Sequence, residues 1–146
     1  MNMANEALEK AITEEGRRVI REALDVWQRM KDNPDGMTLM EYQKAAQRTS
    51  NTNTSDCKIE NGLFGLAGEV GELCDAWKKH RYQGHDFDRA HMISELGDVM
   101  WYIVELACGL DVSLDVVAQT NIIKLKARYP EGFDAERSMH RAEGDD

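Results

Sequence analysis

The chain has 146 residues, 31% of them charged and 42% apolar, the balance of a folded globular protein with one domain-sized core. Eighteen basic against 27 acidic residues give a net charge of −9, which argues against a duplex nucleic-acid binder because such a protein needs basic surface to displace counterions. No apolar run approaches the roughly 20 residues that span a bilayer, and "MNMANEALEK" lacks the basic and apolar regions of a signal peptide; no membrane association and a cytoplasmic location are expected. Cys57, Cys74 and Cys108 are odd in number and follow no C-x-x-C spacing, a pattern that suits free thiols better than zinc or disulfides.

Residues 6–31 place Ile12, Val19, Ile20, Ala23, Leu24, Trp27 and Met30 at helical spacing. Asn33-Pro34-Asp35-Gly36 is a turn. Residues 1–36 therefore read as a helical extension and turn, and 37–146 as the main helical domain with a polar tail. Thr38 and Glu41 have capping-box spacing, starting a helix with Leu39, Tyr42, Ala45 and Ala46 that fades near Thr49. "SNTNTSD" reads as a polar loop, because Ser, Thr and Asn side chains compete with helix formation.

A long helix is predicted from about Ile59 to Arg81. Gly62, Gly65, Gly68 and Gly71 recur along it every three residues, each costing about 1 kcal/mol of helix propensity relative to alanine. Close approach of a neighbouring helix and room for a ligand are two compatible reasons for them. Gly84 suits the end of that helix, and Asp86 or Asp88 the cap of the next, predicted over Arg89–Cys108. Ser113 caps a further helix to about Arg128, stopped by Tyr129-Pro130-Glu131-Gly132. No segment alternates with period two between hairpin turns. The fold class is all-α, an antiparallel bundle of about five helices.

Two of these helices carry Glu69-x-x-Glu72 and Glu95-x-x-Asp98. Carboxylates three residues apart on a helix share one face, with Cβ atoms about 5–6 Å apart. A lone E-x-x-E is weak evidence. Here the second pair sits among Leu96, Val99, Met100, Trp101, Ile103 and Val104, and a reversing loop brings the two acidic faces together. Four carboxylates on apolar helices are tolerable when a cation neutralises them. An all-carboxylate set favours Mg²⁺, with Mn²⁺ as substitute, over the His-bearing di-iron pattern. His91 precedes Glu95 by one turn, and His80 and His85 border the loop. Tyr102, one turn after Asp98, is placed either to touch a ligand or to fill the core. Asn121 and Lys124 share a face of the last long helix, where Lys124 is either a phosphate contact or a solvated lysine. Lys78, Lys79 and Arg81 suit a helix C-terminus as well as an anion.

In this order and spacing, "MTLMEYQKAAQRT", "GLAGEVGEL", "KKHRYQGHDFD", "ELGDVMWYI" and "NIIKLKARYPEGF" resemble blocks of the MazG-like nucleoside triphosphate pyrophosphohydrolases, an all-α group. The resemblance runs from about Met37 to Arg141. It implies hydrolysis of an NTP or dNTP to the monophosphate and pyrophosphate with Mg²⁺. Glu69, Glu72, Glu95 and Asp98 are the implied metal-binding and catalytic residues. Lys124 and Lys79 are the implied phosphate contacts, Asn121 and Tyr102 sugar or phosphate contacts, and Trp101 or Trp77 a base-stacking surface. It also implies a homodimer or homotetramer, in which Tyr42, Gln43 and Arg48 of the second helix contribute across subunits. Many such proteins open the first motif with a double glutamate, whereas Gly68 stands here before Glu69. That departure keeps a second reading open, a metal-dependent nucleotide-binding or sensing module without turnover.

Overall fold

A computed structural model describes residues 36–139 together with Arg18. The chain divides into two compact units, residues 1–38 and 39–146. The N-terminal helix expected over residues 6–31 and the tail beyond Arg141 lie outside the described residues. Among the described residues the second unit is wholly helical: α1 Leu39–Ala46, a 3₁₀ turn Gln47–Thr49, α2 Ser55–Gln83, α3 Arg89–Gly109, α4 Leu114–Arg128 and a short α5 Ala135–Met139.

Side chains from the sequence set these boundaries. Thr54 Oγ1 accepts from the Cys57 amide at 3.2 Å and starts α2. The helix therefore begins four residues before Ile59, where apolar periodicity alone placed it. Gly84, at φ 76°, ends it in the left-handed conformation that costs glycine least. Asp88 then caps α3 by accepting from the amides of Ala90 (3.1 Å) and His91 (3.0 Å). Ser113 caps α4 through the Val116 amide. Residues 135–139, expected as part of a polar tail, form one further helical turn.

The long helices α2 and α3 pack against each other in antiparallel register, and glycine makes the approach close. A Cβ at Gly62 would stand 2.8 Å from Leu106 Cβ, and one at Gly109 would stand 2.8 Å from Ile59 Cγ1. A Cβ at Gly65 would overlap the Tyr102 ring. Gly68 and Gly71 meet nothing within 4 Å. The glycine series thus serves two purposes, helix contact for its first half and open space for its second.

The buried apolar core is small: Val104, Ala107 and Leu114, with Tyr42, Ala46, Ile103, Cys108 and Val112 packed around them. α1 is fastened across α3 by polar bonds. Gln43 donates to the Val112 carbonyl at 3.1 Å and accepts from the Leu114 amide at 2.8 Å. The Trp101 indole donates to Thr49 Oγ1 at 2.8 Å and to the Ala46 carbonyl at 3.2 Å. Large apolar side chains remain exposed on every long helix, among them Phe64 and Trp77 on α2, Leu96 on α3 and Ile123 on α4. No helix among the described residues is long and apolar enough to cross a membrane.

Candidate metal centre

The antiparallel register that sets Gly62 against Leu106 and Gly65 against Tyr102 continues toward the loop. One turn on, it brings Glu69 of α2 to Glu95 and Asp98 of α3. Glu69, Glu95 and Asp98 each offer a carboxylate oxygen, and these three oxygens lie within 4.8 Å of one another. Glu69 and Glu95 are half-buried and Asp98 is exposed, so a solvated cation can reach the group.

The electrostatics show what the group lacks. Partial burial, the charges of Asp98 and Glu95, a side-chain hydrogen bond with Glu95 and the charge of Glu72 together hold the Glu69 carboxyl above its ordinary value. Crowding by like charges disfavours the ionised carboxylate in this way. The His91 ring nitrogen Nδ1 lies 3.3 Å from Glu95 Oε1. A hard divalent cation fits this donor set: all ligands are oxygens, the three converge from two rigid helices, and their repulsion is relieved by positive charge.

The other residues singled out from sequence take different places. Glu72 is exposed and outside the three-oxygen group, within range of the Lys79 charge. Asp75, one turn further along α2, binds both Lys78 and Lys79, the latter at 2.6 Å. Those bonds hold the Asp75 carboxyl down at about 2 and raise Lys79. Glu72, Asp75, Lys79, His85, Phe87 and His91 line a cavity of about 180 Å³ beside the carboxylates. Tyr102 lies half-buried on Gly65, edge-on to Trp101 with ring centroids 5.0 Å apart. Trp101 spends its indole N–H on the end of α1. Trp77 is half exposed and packs against His80 and Phe87. Asn121 and Lys124 are exposed on α4, and no hydrogen bond or ion pair ties either to the carboxylates among the described residues.

The third acidic residue of α3 went unread in the sequence. Glu105 is fully buried. It accepts from Gln47 Nε2 and Ser50 Oγ, each at 2.9 Å, from Thr52 Oγ1, and from Asn61 Nδ2 at 3.5 Å, with Lys58 Nζ 3.6 Å away. Burial alone would raise this carboxyl. The hydroxyl and amide donors and the Lys58 charge outweigh burial and lower it. The loop that looked merely polar is thus a ring of donors closed on one carboxylate.

The family model of the MazG nucleotide pyrophosphohydrolase domain matches residues 58–133. That span takes in both carboxylate pairs, the α2–α3 reversal and Glu105. The chain belongs to this family. Among its relatives, the chain is similar to the Gene 37 protein of Mycobacterium phage L5, 39% identical over 100 residues that cover 62% of this chain and 88% of the phage protein. No solved structure matches. The all-α architecture is the one the MazG family has, and the antiparallel α2–α3 pair at its centre carries the convergent carboxylates.

Proposed function

We propose that this MazG-family chain is a Mg²⁺-dependent nucleoside triphosphate pyrophosphohydrolase, converting an NTP or dNTP and water to the monophosphate and pyrophosphate. The observation that carries the proposal is the group of three carboxylate oxygens within 4.8 Å on facing helices. Glu69, Glu95 and Asp98 would hold the ion, with Glu72 on the adjoining turn, and Mn²⁺ would substitute. Bound there, the metal would neutralise triphosphate charge and lower the pKa of the attacking water.

The chain's own groups supply the rest. Glu72 is exposed and outside the three-oxygen group, which leaves it to take a proton from water as the new P–O bond forms and the bridging P–O bond breaks. Lys79, oriented by Asp75, and Lys124 would meet phosphate oxygens as charge shifts toward the leaving pyrophosphate. Asn121 and Tyr102 would contact sugar or phosphate, and Trp101 the base. The exposed apolar faces of α2, α3 and α4 support assembly as a homodimer or homotetramer, since patches of this kind mark protein contacts.

Pyrophosphate release from a panel of NTPs and dNTPs with Mg²⁺ tests the reading. Turnover of at least one nucleotide, lost in Glu95→Gln and Asp98→Asn, is expected. A folded protein inactive on the whole panel would sink it. The second reading, metal-dependent nucleotide binding without turnover, draws on Gly68, where many family members carry a further glutamate. Calorimetry showing metal-dependent nucleotide binding with no product would favour it.

A further inference from the structure

The Tyr42 hydroxyl, carried by α1, lies 3.5 Å from the carbonyl oxygen of Gly97, the residue that precedes Asp98 on α3. Its position is over-determined by fastenings on both sides. Gln43 ties the neighbouring position of α1 to Val112 and Leu114. The Trp101 indole holds the last turn of α1 through Ala46 and Thr49, and Glu105 holds Gln47, Ser50 and Thr52 beyond it. Trp101 and Glu105 are successive turns of the same helix face that begins with Asp98. The strap from Tyr42 to Thr52 therefore runs along α3 and ends with a phenol on the backbone carbonyl one residue before Asp98.

We infer that Tyr42 is a positioning residue for Asp98, and that the Trp101 and Glu105 fastenings act on the metal centre by holding Tyr42 in place. The inference rests on the reading of Glu69, Glu95 and Asp98 as a metal site. Outer-shell groups that fix the element carrying a metal ligand orient that ligand, and their removal costs about 10- to 100-fold in metal affinity. No cross-subunit contact is needed for this contribution, since Tyr42 and Asp98 belong to one chain.

The test is titration of the full chain with Mn²⁺ alone, followed by calorimetry and by loss of the free-ion magnetic resonance signal. Tyr42→Phe keeps the ring and removes the hydroxyl. About tenfold weaker Mn²⁺ binding with an unchanged metal-free unfolding midpoint is expected. Affinity within about twofold of wild type, or a shifted midpoint with affinity intact, overturns the inference. Glu95→Gln serves as the reference: if it too leaves Mn²⁺ binding intact, the metal site itself is refuted, which separates that failure from a failure at Tyr42 alone. Thr49→Val loosens the Trp101 fastening and is expected to weaken Mn²⁺ binding a few-fold, with no further loss when added to Tyr42→Phe. Additive losses in the double variant would show the strap acting by another route.

Discussion

Two acidic sites on one helix behave oppositely. Glu105, near the C-terminal end of α3, is fully buried and ionised, with its carboxyl lowered because Thr52, Gln47, Ser50 and Lys58 surround it. Glu95 and Asp98, two to three turns earlier, converge with Glu69 where water still reaches, and the Glu69 carboxyl is raised. Burial by itself would have raised both. Neighbours decide the outcome: a carboxylate ringed by donors is structural, whereas carboxylates crowded against one another call for a charge from outside.

The largest expected effect separates the two sites by what each loses. Asp98→Asn should abolish pyrophosphate release by on the order of 10³-fold, as loss of a preorganised charge-stabilising group does, while the metal-free protein stays at least as stable as wild type. Steady-state assay and urea unfolding of the same preparation check both halves. Asp98→Asn that lowers stability and keeps turnover would erase the contrast.

Glu105→Ala should do the opposite. It strands the hydroxyls of Ser50 and Thr52 and the amide of Gln47, and removes the Lys58 partner, for a loss of about 3 kcal/mol. Lys58 still donates to Gln47 Oε1 at 3.0 Å and Ser50 Oγ at 2.9 Å and keeps a fifth of its side-chain surface in water, so it adds little. The unfolding midpoint reports the loss. Replacement by Gln should recover part of it, since the amide oxygen still accepts.

The pH dependence of metal-free stability sharpens the contrast. Glu105 is lowered from its ordinary value of 4.5, so its contribution is complete above that value and lost as pH falls through the lowered one. Glu69 is raised above 4.5; its ionised form weakens the fold, and that penalty is relieved as pH falls through the raised value. Urea midpoints from about pH 7 to about pH 3 should therefore rise first and fall afterwards. Glu69→Gln should remove the rise and Glu105→Gln should reduce the fall, to which the lowered Asp75 also contributes. Because proton and cation compete for Glu69, saturating Mg²⁺ should also suppress the rise.

What the sequence revealed follows from the range over which each signal acts. Helices α1 to α4 were legible because apolar spacing and caps such as Asp88 and Ser113 are local. The start of α2 was misplaced because Thr54 and Ser55 look like loop residues until the Thr54 hydroxyl is seen on the Cys57 amide. The approach of Glu69 to Glu95 and Asp98 was legible because i, i+3 spacing and one reversing loop suffice to bring these three together, whereas Glu72 lies outside the group. Glu105 was not, since its hydrogen-bond partners lie 44 to 58 positions away and a lone carboxylate in "WYIVELACG" has no spacing to betray it. Trp101 could be found by its ring, but not its bond to Thr49.

The glycines supply the smallest and cleanest comparison. Gly65 and Gly68 are one helical turn apart on α2, in equal backbone conformation, and differ in what faces them. A Cβ at Gly65 would enter the Tyr102 ring, whereas Gly68 faces open space beside Glu69. Gly68→Ala should therefore stabilise the chain by up to about 1 kcal/mol, the helix propensity of alanine over glycine. Gly65→Ala should lose more than it gains, because Tyr102 is wedged between α2 and Trp101 and must leave its place to admit a methyl group. Urea unfolding of the two variants side by side reads the sign directly. Gly68→Glu carries the comparison to the carboxylate group: a Cβ there meets nothing within 4 Å, so on the proposed reading its propensity gain should survive in saturating Mg²⁺ and shrink without metal, where it adds one more charge beside a Glu69 already raised by its neighbours.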